Sequence, residues 1–545
     1  MKTFIVLLAL TTAVCSSQGQ TPARHYQAST SVQFATDEII HYKNSEDQRN
    51  IRLAIAFNGW MYAAYTHNDP VSEIGGIYVS CSKDNGVSWH RFVAYQFSAS
   101  MYPMTDLIVA GNDTLNLKVF LAGVLHNINT GANSVYMDDF DGRTGSLAGT
   151  VFQRQLGTSL HVTDIALATD YLYPGTSSSP YSVGFLYTVQ GGPADSLMFT
   201  RSTDGGQSFS GSSVVSFTHH SLHKIALSYG RSPAVSSGSY FAAWEDFASP
   251  AASVGHIYVS HSNSVSSNSW QNPVCMDSVP SQTNYTNMCR NPAIAIQQGT
   301  MDNVNLDLSA VLLFEGASGG NLYNMDIVSA VNRQAYSASS WNLFAIAATG
   351  ANETEPACCY NSYTNNFLLT YFDSTNGSLP YESQGINISS PLTWTELSLQ
   401  YNDENTSLAS PHPRIEVSPL LQQAAFVWVS ENPVNGNGVA LFDAEFSGLL
   451  TEIPSEINLE NEIGLPYPVP ANETIRISVT ASKTLSITEE VYDILGNLVK
   501  SPTGVTLAPG TQSILIAVDD LPGGVYFAHF SGPGLNRSLR FVIQH

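Results

Sequence analysis

Short runs of alternating apolar and polar residues, set off by Gly, Asn and Ser, follow one another along most of the chain. Such alternation puts every second side chain on one face of a strand, and no stretch sustains the 3.6-residue period of a helix. One run type recurs seven times: MYAAYT from Met61, KVFLAGV from Lys118, YSVGFLYT from Tyr181, YFAAWED from Tyr240, LSAVLLFEG from Leu308, NFLLTYFD from Asn366 and AAFVWVS from Ala424. A companion strand precedes most of them by about ten residues, a strand-plus-turn length. These companions are IRLAIA from Ile51, TDLIVAG from Thr105, TDIALA from Thr163, SPAVSS from Ser232, NPAIAI from Asn291 and RIEVSP from Arg414. No companion is evident before Asn366. A third strand follows each run (GIYVSCS, SVYMDDF, SLMFTRS, HIYVSHS, NLYNMDI, LPYESQG, GVALFDA), and a fourth follows several, as in HRFVAYQ, NLFAIA and TELSLQ.

Seven four-stranded units in succession predict an all-β fold, a seven-bladed β-propeller over residues 30–455, because radial closure protects sheet edges. The seventh unit lacks a fourth strand, and SVQFATDEII from Ser31 is expected to supply it and close the ring. A pair of stacked β-sandwiches is the alternative, and the four-strand cadence argues against it.

The stretch SKDNGVSW, Ser82 to Trp89, falls between the third and fourth strands of the first unit, and STDGGQSF, Ser202 to Phe209, takes the same place in the third. SNSVSSNSW, ending at Trp270, is a worn copy, and Trp341 and Trp394 mark comparable points at about 61 residues per unit. Turn chemistry accounts for each position. Asp84 and Asp204 accept backbone N–H groups, Gly86 and Gly206 take positive φ, Ser82 and Ser202 tie the hairpin ends, and Trp89 and Phe209 bury a ring. These residues match the Asp-box, or BNR repeat, of sialidase-like β-propellers, a resemblance of architecture over residues 30–455. It implies a structural role, since Asp-boxes in that family lie away from the active site. Sialidases use three arginines on the substrate carboxylate, a Tyr/Glu nucleophile pair and an Asp acid/base. The first arginine commonly sits in Arg-Ile-Pro, and here Ile51-Arg52-Leu53 is the nearest analogue. Sialidase propellers also have six blades rather than seven. The catalytic residues are left unassigned.

From about Glu460 the texture changes to YPVPANETIRISV, VYDILGNLVKS, DLPGGVYFAHFSG and SLRFVIQH. Short strands with Pro/Gly turns predict a small immunoglobulin-like β-sandwich over residues 460–545. The four segments resemble the type A C-terminal sorting domain of the Bacteroidetes type IX secretion system. The resemblance implies export across the outer membrane by that machinery, to a secreted or cell-surface location.

Composition narrows the function classes. With 44 acidic against 21 basic residues the formal net charge is −23, which argues against nucleic acid, whose phosphates need basic partners; otherwise acidity aids solubility. The start, MKTFIVLLALTTAVCSSQGQ, has the layout of a secretory signal peptide, assigned to residues 1–19, and no later segment has the apolar length of a membrane helix. Export permits disulfides, and Cys275 and Cys289, flanking one loop, are the expected pair. No CxxC spacing occurs, and no metal or cofactor is expected.

Ligands of propellers meet the channel mouth, where innermost strands begin and second strands end. Arg52, Asp106, Asp164, Arg231, Arg290 and Arg414 fall near the first set of positions; His67, Glu245, Asp246, Glu315, Asp373 and Glu431 fall near the second. Arginines can hold an anion by bidentate bonds, and carboxylates can serve as acid and base. The competing reading is a set of salt bridges and capped strand ends. His219, His220 and His223 are expected in a solvated loop, and Asp138, Asp139 and Asp141 in a turn rather than a calcium site. Three functions stay open: a propeller that binds an extracellular glycan or surface protein, a glycoside hydrolase, and a structural scaffold.

Overall fold

The computed structural model describes residues 37–41 and 46–543, apart from loop segments of which the longest are 171–180, 278–288, 299–306, 318–324, 386–393, 403–410, 446–460 and 464–470. The expected signal peptide, His219 and His220 lie outside the described residues. No described residue is helical.

The strands before residue 446 form seven antiparallel four-stranded sheets among the described residues. The first runs through Asp47–Ile55, Met61–Asp69, Ile74–Ser82 and His90–Ser98, each strand pairing with the next. Five more sheets repeat this order, with innermost strands Thr105–Ala110, Ile165–Thr169, Ser221–Gly230, Cys289–Ile296 and Glu353–Asn361. The last has Arg414–Val417 innermost, then Ala424–Glu431 and Gly438–Ala444, and its fourth strand is Glu38–His41 from the other end of the propeller sequence. Each innermost strand lies against the next sheet's, and Asp47–Ile55 lies against Arg414–Val417, so the ring closes. This is a β-propeller.

Strand alternation explains the packing. Ile51, Leu53 and Ile55 face the closing sheet, whereas Ala54 and Ala56 face the second. Cross-blade cores of this kind recur around the ring.

Two expected strands are corrected. The innermost strand of the fourth sheet is Ser221–Gly230, not SPAVSS from Ser232. The alternation of KIALSY is the longer signal, and Ser232 and Val235 form a turn closed by the Val235 N–H to Ser232 O bond of 3.1 Å. The unseen companion before Asn366 is Glu353–Asn361, masked in sequence by its Glu-Pro step and adjacent cysteines. The third strand of the fifth sheet, Met325–Asn332, starts further along than NLYNMDI.

The two Ser-x-Asp-x-Gly turns are built alike. Ser82 Oγ donates to Asp84 Oδ1 at 2.8 Å and accepts the Gly86 N–H at 2.8 Å, while Ser88 donates its N–H to Asp84 Oδ1 at 2.9 Å. Ser202, Asp204, Gly206 and Ser208 repeat these bonds at 2.6, 2.9 and 2.9 Å. Each turn docks on the preceding sheet. A Cβ on Gly86 would stand 2.0 Å from Phe442 Cε1, and one on Gly206 would stand 2.4 Å from Phe120 Cζ. The Trp89 and Phe442 rings are 5.3 Å apart, Phe209 and Phe152 6.0 Å, and the worn copy's Trp270 sits 5.1 Å from Phe199. The motif is a between-blade fastening, which is why it repeats.

Asp138 and Asp139 lie within the strand Asn133–Asp141 rather than in the expected turn, accepting bonds from Tyr95 and Lys118; only Asp141, at the strand's end, caps a turn by accepting the amides of Arg143 and Thr144. His223 departs from expectation. It lies in an innermost strand and stacks on Phe247 at 4.2 Å.

Residues 461–543 form two sheets around one core. Thr474–Ala481 pairs with Asn461–Ile463 and Gly510–Ala517; Leu485–Asp493 pairs with Leu498–Leu507 and Gly524–Gly532, and the last also with Leu535–Ile543. Ile475, Ile477 and Val479 of one sheet and Ile487, Val491 and Phe530 of the other share the core, a β-sandwich.

Candidate functional site

Hairpin connectivity separates the two rims of the propeller. Innermost strands begin, and second strands end, at one rim. The Ser-x-Asp-x-Gly turns follow third strands, so they lie at the opposite rim.

At the first rim the innermost strands carry bulges, with register breaks at Arg49/Arg52, Leu222/Ile225, Arg290/Ala293 and Thr354/Ala357. Asn50, Asn291, Glu355 and His412 stand there at φ between 45° and 56°. A bulge re-aims the chain and frees backbone N–H groups from the ladder, and carboxylates take them up. Asp106 Oδ2 accepts the Leu167 N–H at 2.6 Å, and Asp164 Oδ2 accepts the Ile225 N–H at 3.0 Å. Glu245 accepts the Asn291 N–H, Glu315 Oε1 the Glu355 N–H at 2.7 Å, and Glu355 Oε2 the His412 N–H at 2.7 Å. In each case the acceptor belongs to one blade and the donor to the next. Asn291 also ties two glutamates together, since its side-chain amide donates to Glu315 Oε1 at 2.5 Å.

The cations gather among these clasps. Arg52 Nε is 3.4 Å from Asp106 Oδ1, and Arg290 pairs with Glu315. Arg414 Nη1 donates to Pro413 O at 2.8 Å. Burial lowers the Arg414 guanidinium to about 9, with the neighbouring Arg52 charge adding to the effect and Asp106, Glu355 and Asp164 opposing it. Burial, helped by the charges of Arg414, Lys224, Arg52 and Arg49, pulls the His412 imidazole down to about 3. It is therefore neutral, and its 3.4 Å approach to Glu355 Oε1 is not an ion pair. Burial pushes Glu245 up to about 8 against two amide bonds, and Glu355 up to about 7.

Below the mouth a cavity of about 190 Å³ lies between the innermost strands, bordered by Leu53, Leu107, Leu167, Leu227, Cys358 and Glu416. Burial among these apolar neighbours, with the Asp106 charge, raises the Glu416 carboxyl to about 8.

Of the sequence candidates, Arg52, Arg290, Arg414, Glu245 and Glu315 meet at this mouth. Glu431 ends its second strand at the same rim. Arg231 does not belong there. It follows the end of Ser221–Gly230, at the opposite rim, and pairs with Asp170 at 3.3 Å. Misreading the innermost strand inverted its position. Asp246 follows Glu245 at the end of the same second strand and stands between Leu222 and His256 in the sheet register. The expected Cys275–Cys289 bond is not formed; the Cys275 thiol donates to Asp277 Oδ1 at 2.8 Å, and Cys289 is buried in the core between sheets four and five. Lys224, Asn291, Glu355, His412 and Glu416 were missed. A readable signal existed for three of them, the recurring x-Pro steps Asn291-Pro292, Glu355-Pro356 and His412-Pro413.

Residues 466–544 match the secretion system C-terminal sorting domain. The chain thus carries a type IX sorting tail and is exported through the outer membrane, to be secreted or held at the cell surface. No curated protein matches the chain. Among solved structures, Penicillium chrysogenum α-L-arabinanase complexed with arabinobiose is 11% identical, covering 76% of this chain and 98% of its own, with a TM-score of 0.41. The GH93 α-L-arabinofuranosidase of Fusarium graminearum is 9% identical over 75% and 97%, with a TM-score of 0.42. The fucose-specific lectin from Aleuria aurantia is 10% identical over 66% and 96%, with a TM-score of 0.34. Likenesses this remote carry no functional weight, and the propeller assignment rests on the strand pairing itself.

Proposed function

We propose that this exported propeller binds an extracellular glycan at its channel mouth, with Arg52, Arg414 and Lys224 contacting an anionic group of the sugar. One observation carries the reading. Asp106, Asp164, Glu245, Glu315 and Glu355 are each committed to a backbone N–H of the following blade or its bulge, whereas four cations act together on the His412 ring. Carboxylates used as fastenings are poor general bases, because moving them opens the ring. Guanidinium groups at a half-buried mouth suit a carboxylate or sulfate.

A hydrolase is the second reading, and Glu416 favours it. Its carboxyl, raised to about 8, holds a proton at neutral pH beside the cavity, as a general acid must. The full-length protein on an array of neutral, uronate-bearing, sialylated and sulfated glycans separates the two. Saturable binding to anionic members that Arg414→Gln abolishes, with no sugar released, fits the binding reading. Release of sugar that Glu416→Gln stops makes the protein an enzyme and ends the binding-only reading.

A further inference from the structure

On the outer strands of the fourth blade, at the same rim as the mouth but outward of the innermost strands, strand register assembles a second group. Trp244 pairs with Tyr258, Asp246 with His256, and Tyr258 with Cys275. Paired residues and residues two apart share a face, so Asp246, His256, Tyr258, Cys275 and Asp277 project together. Three of them converge. His256 Nδ1 is 2.7 Å from Asp277 Oδ2, the Cys275 Sγ is 2.8 Å from Asp277 Oδ1, and Sγ lies 3.9 Å from the same Nδ1. Their candidate ligand atoms all fall within 4.8 Å of one another.

A nucleophile–histidine–carboxylate triad does not fit. Such a triad needs the thiol and the carboxylate on opposite ring nitrogens, and here both address Nδ1. A nitrogen, a sulfur and an oxygen turned toward one point are the donor set of a transition-metal ion. We propose that His256, Cys275 and Asp277 bind a divalent zinc-class cation through Nδ1, Sγ and a carboxylate oxygen.

Thiolate and imidazole donors select zinc over calcium or magnesium. Tetrahedral zinc with bonds of about 2.0 to 2.3 Å sets its ligand atoms about 3.3 to 3.6 Å apart. The two short contacts therefore open by somewhat over half an ångström, and the long one closes by less. The Asp277 side chain is 2% exposed and that of His256 34%, so the buried carboxylate anchors the ion and the imidazole side leaves an entry path. Binding is balanced in protons: the Cys275 thiol proton leaves to solvent, and the imidazole proton moves from Nδ1 to Nε2. The ligands then carry two negative charges against the ion's two positive, with the fourth position left to water. The outermost strand here, Val274–Cys275, is two residues long, and the ion pins it to His256 on the third strand.

The test is cobalt titration of the full-length protein after chelator treatment, read by absorption. The expected result is a thiolate-to-cobalt charge-transfer band and intense tetrahedral visible bands, saturating at one equivalent and lost on adding zinc. Cys275→Ala and His256→Gln are each expected to weaken cobalt binding at least ~10-fold, with wild-type circular dichroism as the folding control. His256→Gln, at a half-exposed position, keeps the test alive if Cys275→Ala fails to fold. Absence of the band, including absence because Cys275 and Cys289 are oxidised to a disulfide, overturns the proposal. So does a band that both variants retain.

Discussion

Asp106 Oδ2 accepts the backbone N–H of Leu167 at 2.6 Å while its other oxygen faces Arg52 Nε at 3.4 Å. One carboxylate in the second blade thus holds the third blade by its backbone and the first by charge. Asp106→Ala leaves a buried amide and a guanidinium without this acceptor and is expected to destabilise the propeller by about 2–4 kcal/mol. Asp106→Asn keeps an amide oxygen for Leu167 and is expected to cost less than half as much. Chemical denaturation of both variants measures this. Equal losses would assign the effect to the Arg52 pairing and not to the backbone clasp.

Gly86 and Gly436 separate backbone strain from packing. Both have positive φ, 89° and 72°, but a Cβ on Gly436 meets nothing within 4 Å whereas one on Gly86 would collide with Phe442. Gly436→Ala is expected to cost about 1–2 kcal/mol, the left-handed penalty alone. Gly86→Ala adds an overpacking cost of about 1–3 kcal/mol and loosens the first blade from the closing sheet. Melting temperatures of the two variants should therefore differ, with Gly86→Ala lower; a match would mean that Phe442 swings aside freely.

The turn aspartate should show in acid. Desolvation works against the Asp204 charge, but bonds from Ser202, Ser208 and the amides of Ser208 and Gln207 hold its carboxyl down to about 2. With an unfolded value of about 3.9, the unfolded chain binds more protons between these limits, so stability rises with pH there. The contribution is present above pH about 4 and is lost as pH falls through about 2. The group faces solvent, so its size is under about 1 kcal/mol. Asp204→Ala should lower the melting temperature at pH 7 and converge on the wild type near pH 2; a constant offset at every pH would contradict the linkage.

Much of this fold was legible because propeller strands repeat one apolar pattern, and the turn motif marks the same joint in successive blades. Glu38–His41 could be expected to close the ring because the seventh unit visibly lacked a strand. The innermost strands were read less well. Their rim ends are bulged, and a bulge shifts alternation by a residue, which hid Glu353–Asn361 and displaced Ser221–Gly230. The error over Arg231 followed from that shift. The grouping of His256 with Cys275 and Asp277 had no sequence signature at all, since it is register across two strands, not spacing along one, that brings them together.

Glu416 stores a penalty with the opposite sign to Asp204. Its folded carboxyl is raised to about 8, above an unfolded value of about 4.3. The native state therefore binds more protons between these limits, and stability falls as pH rises from about 4 to 8. Glu416→Gln removes the titration. The variant should match the wild type near pH 4 and melt progressively higher than it toward pH 8. A difference that stays flat across this range would place the carboxyl in contact with bulk water.

Glycan binding at the mouth should decline on the alkaline side for the same electrostatic reasons. Glu355 and Glu416, held near 7 and 8 by burial, gain negative charge as pH rises, while the Arg414 guanidinium stays charged. Both changes weaken attraction for an anionic sugar. Affinity is expected to be highest at or below about pH 6.5 and to fall at least ~10-fold by pH 9, a change of about 1.4 kcal/mol. In Glu416→Gln one of these charges is gone, so the decline should be shallower between pH 7 and 9 and unchanged in direction. Titration calorimetry with an array-selected anionic oligosaccharide at pH 6, 7.5 and 9 measures it. Affinity that rises with pH would mean that the sugar is held by deprotonated carboxyls, and the arginine-centred reading of the mouth would have to be abandoned.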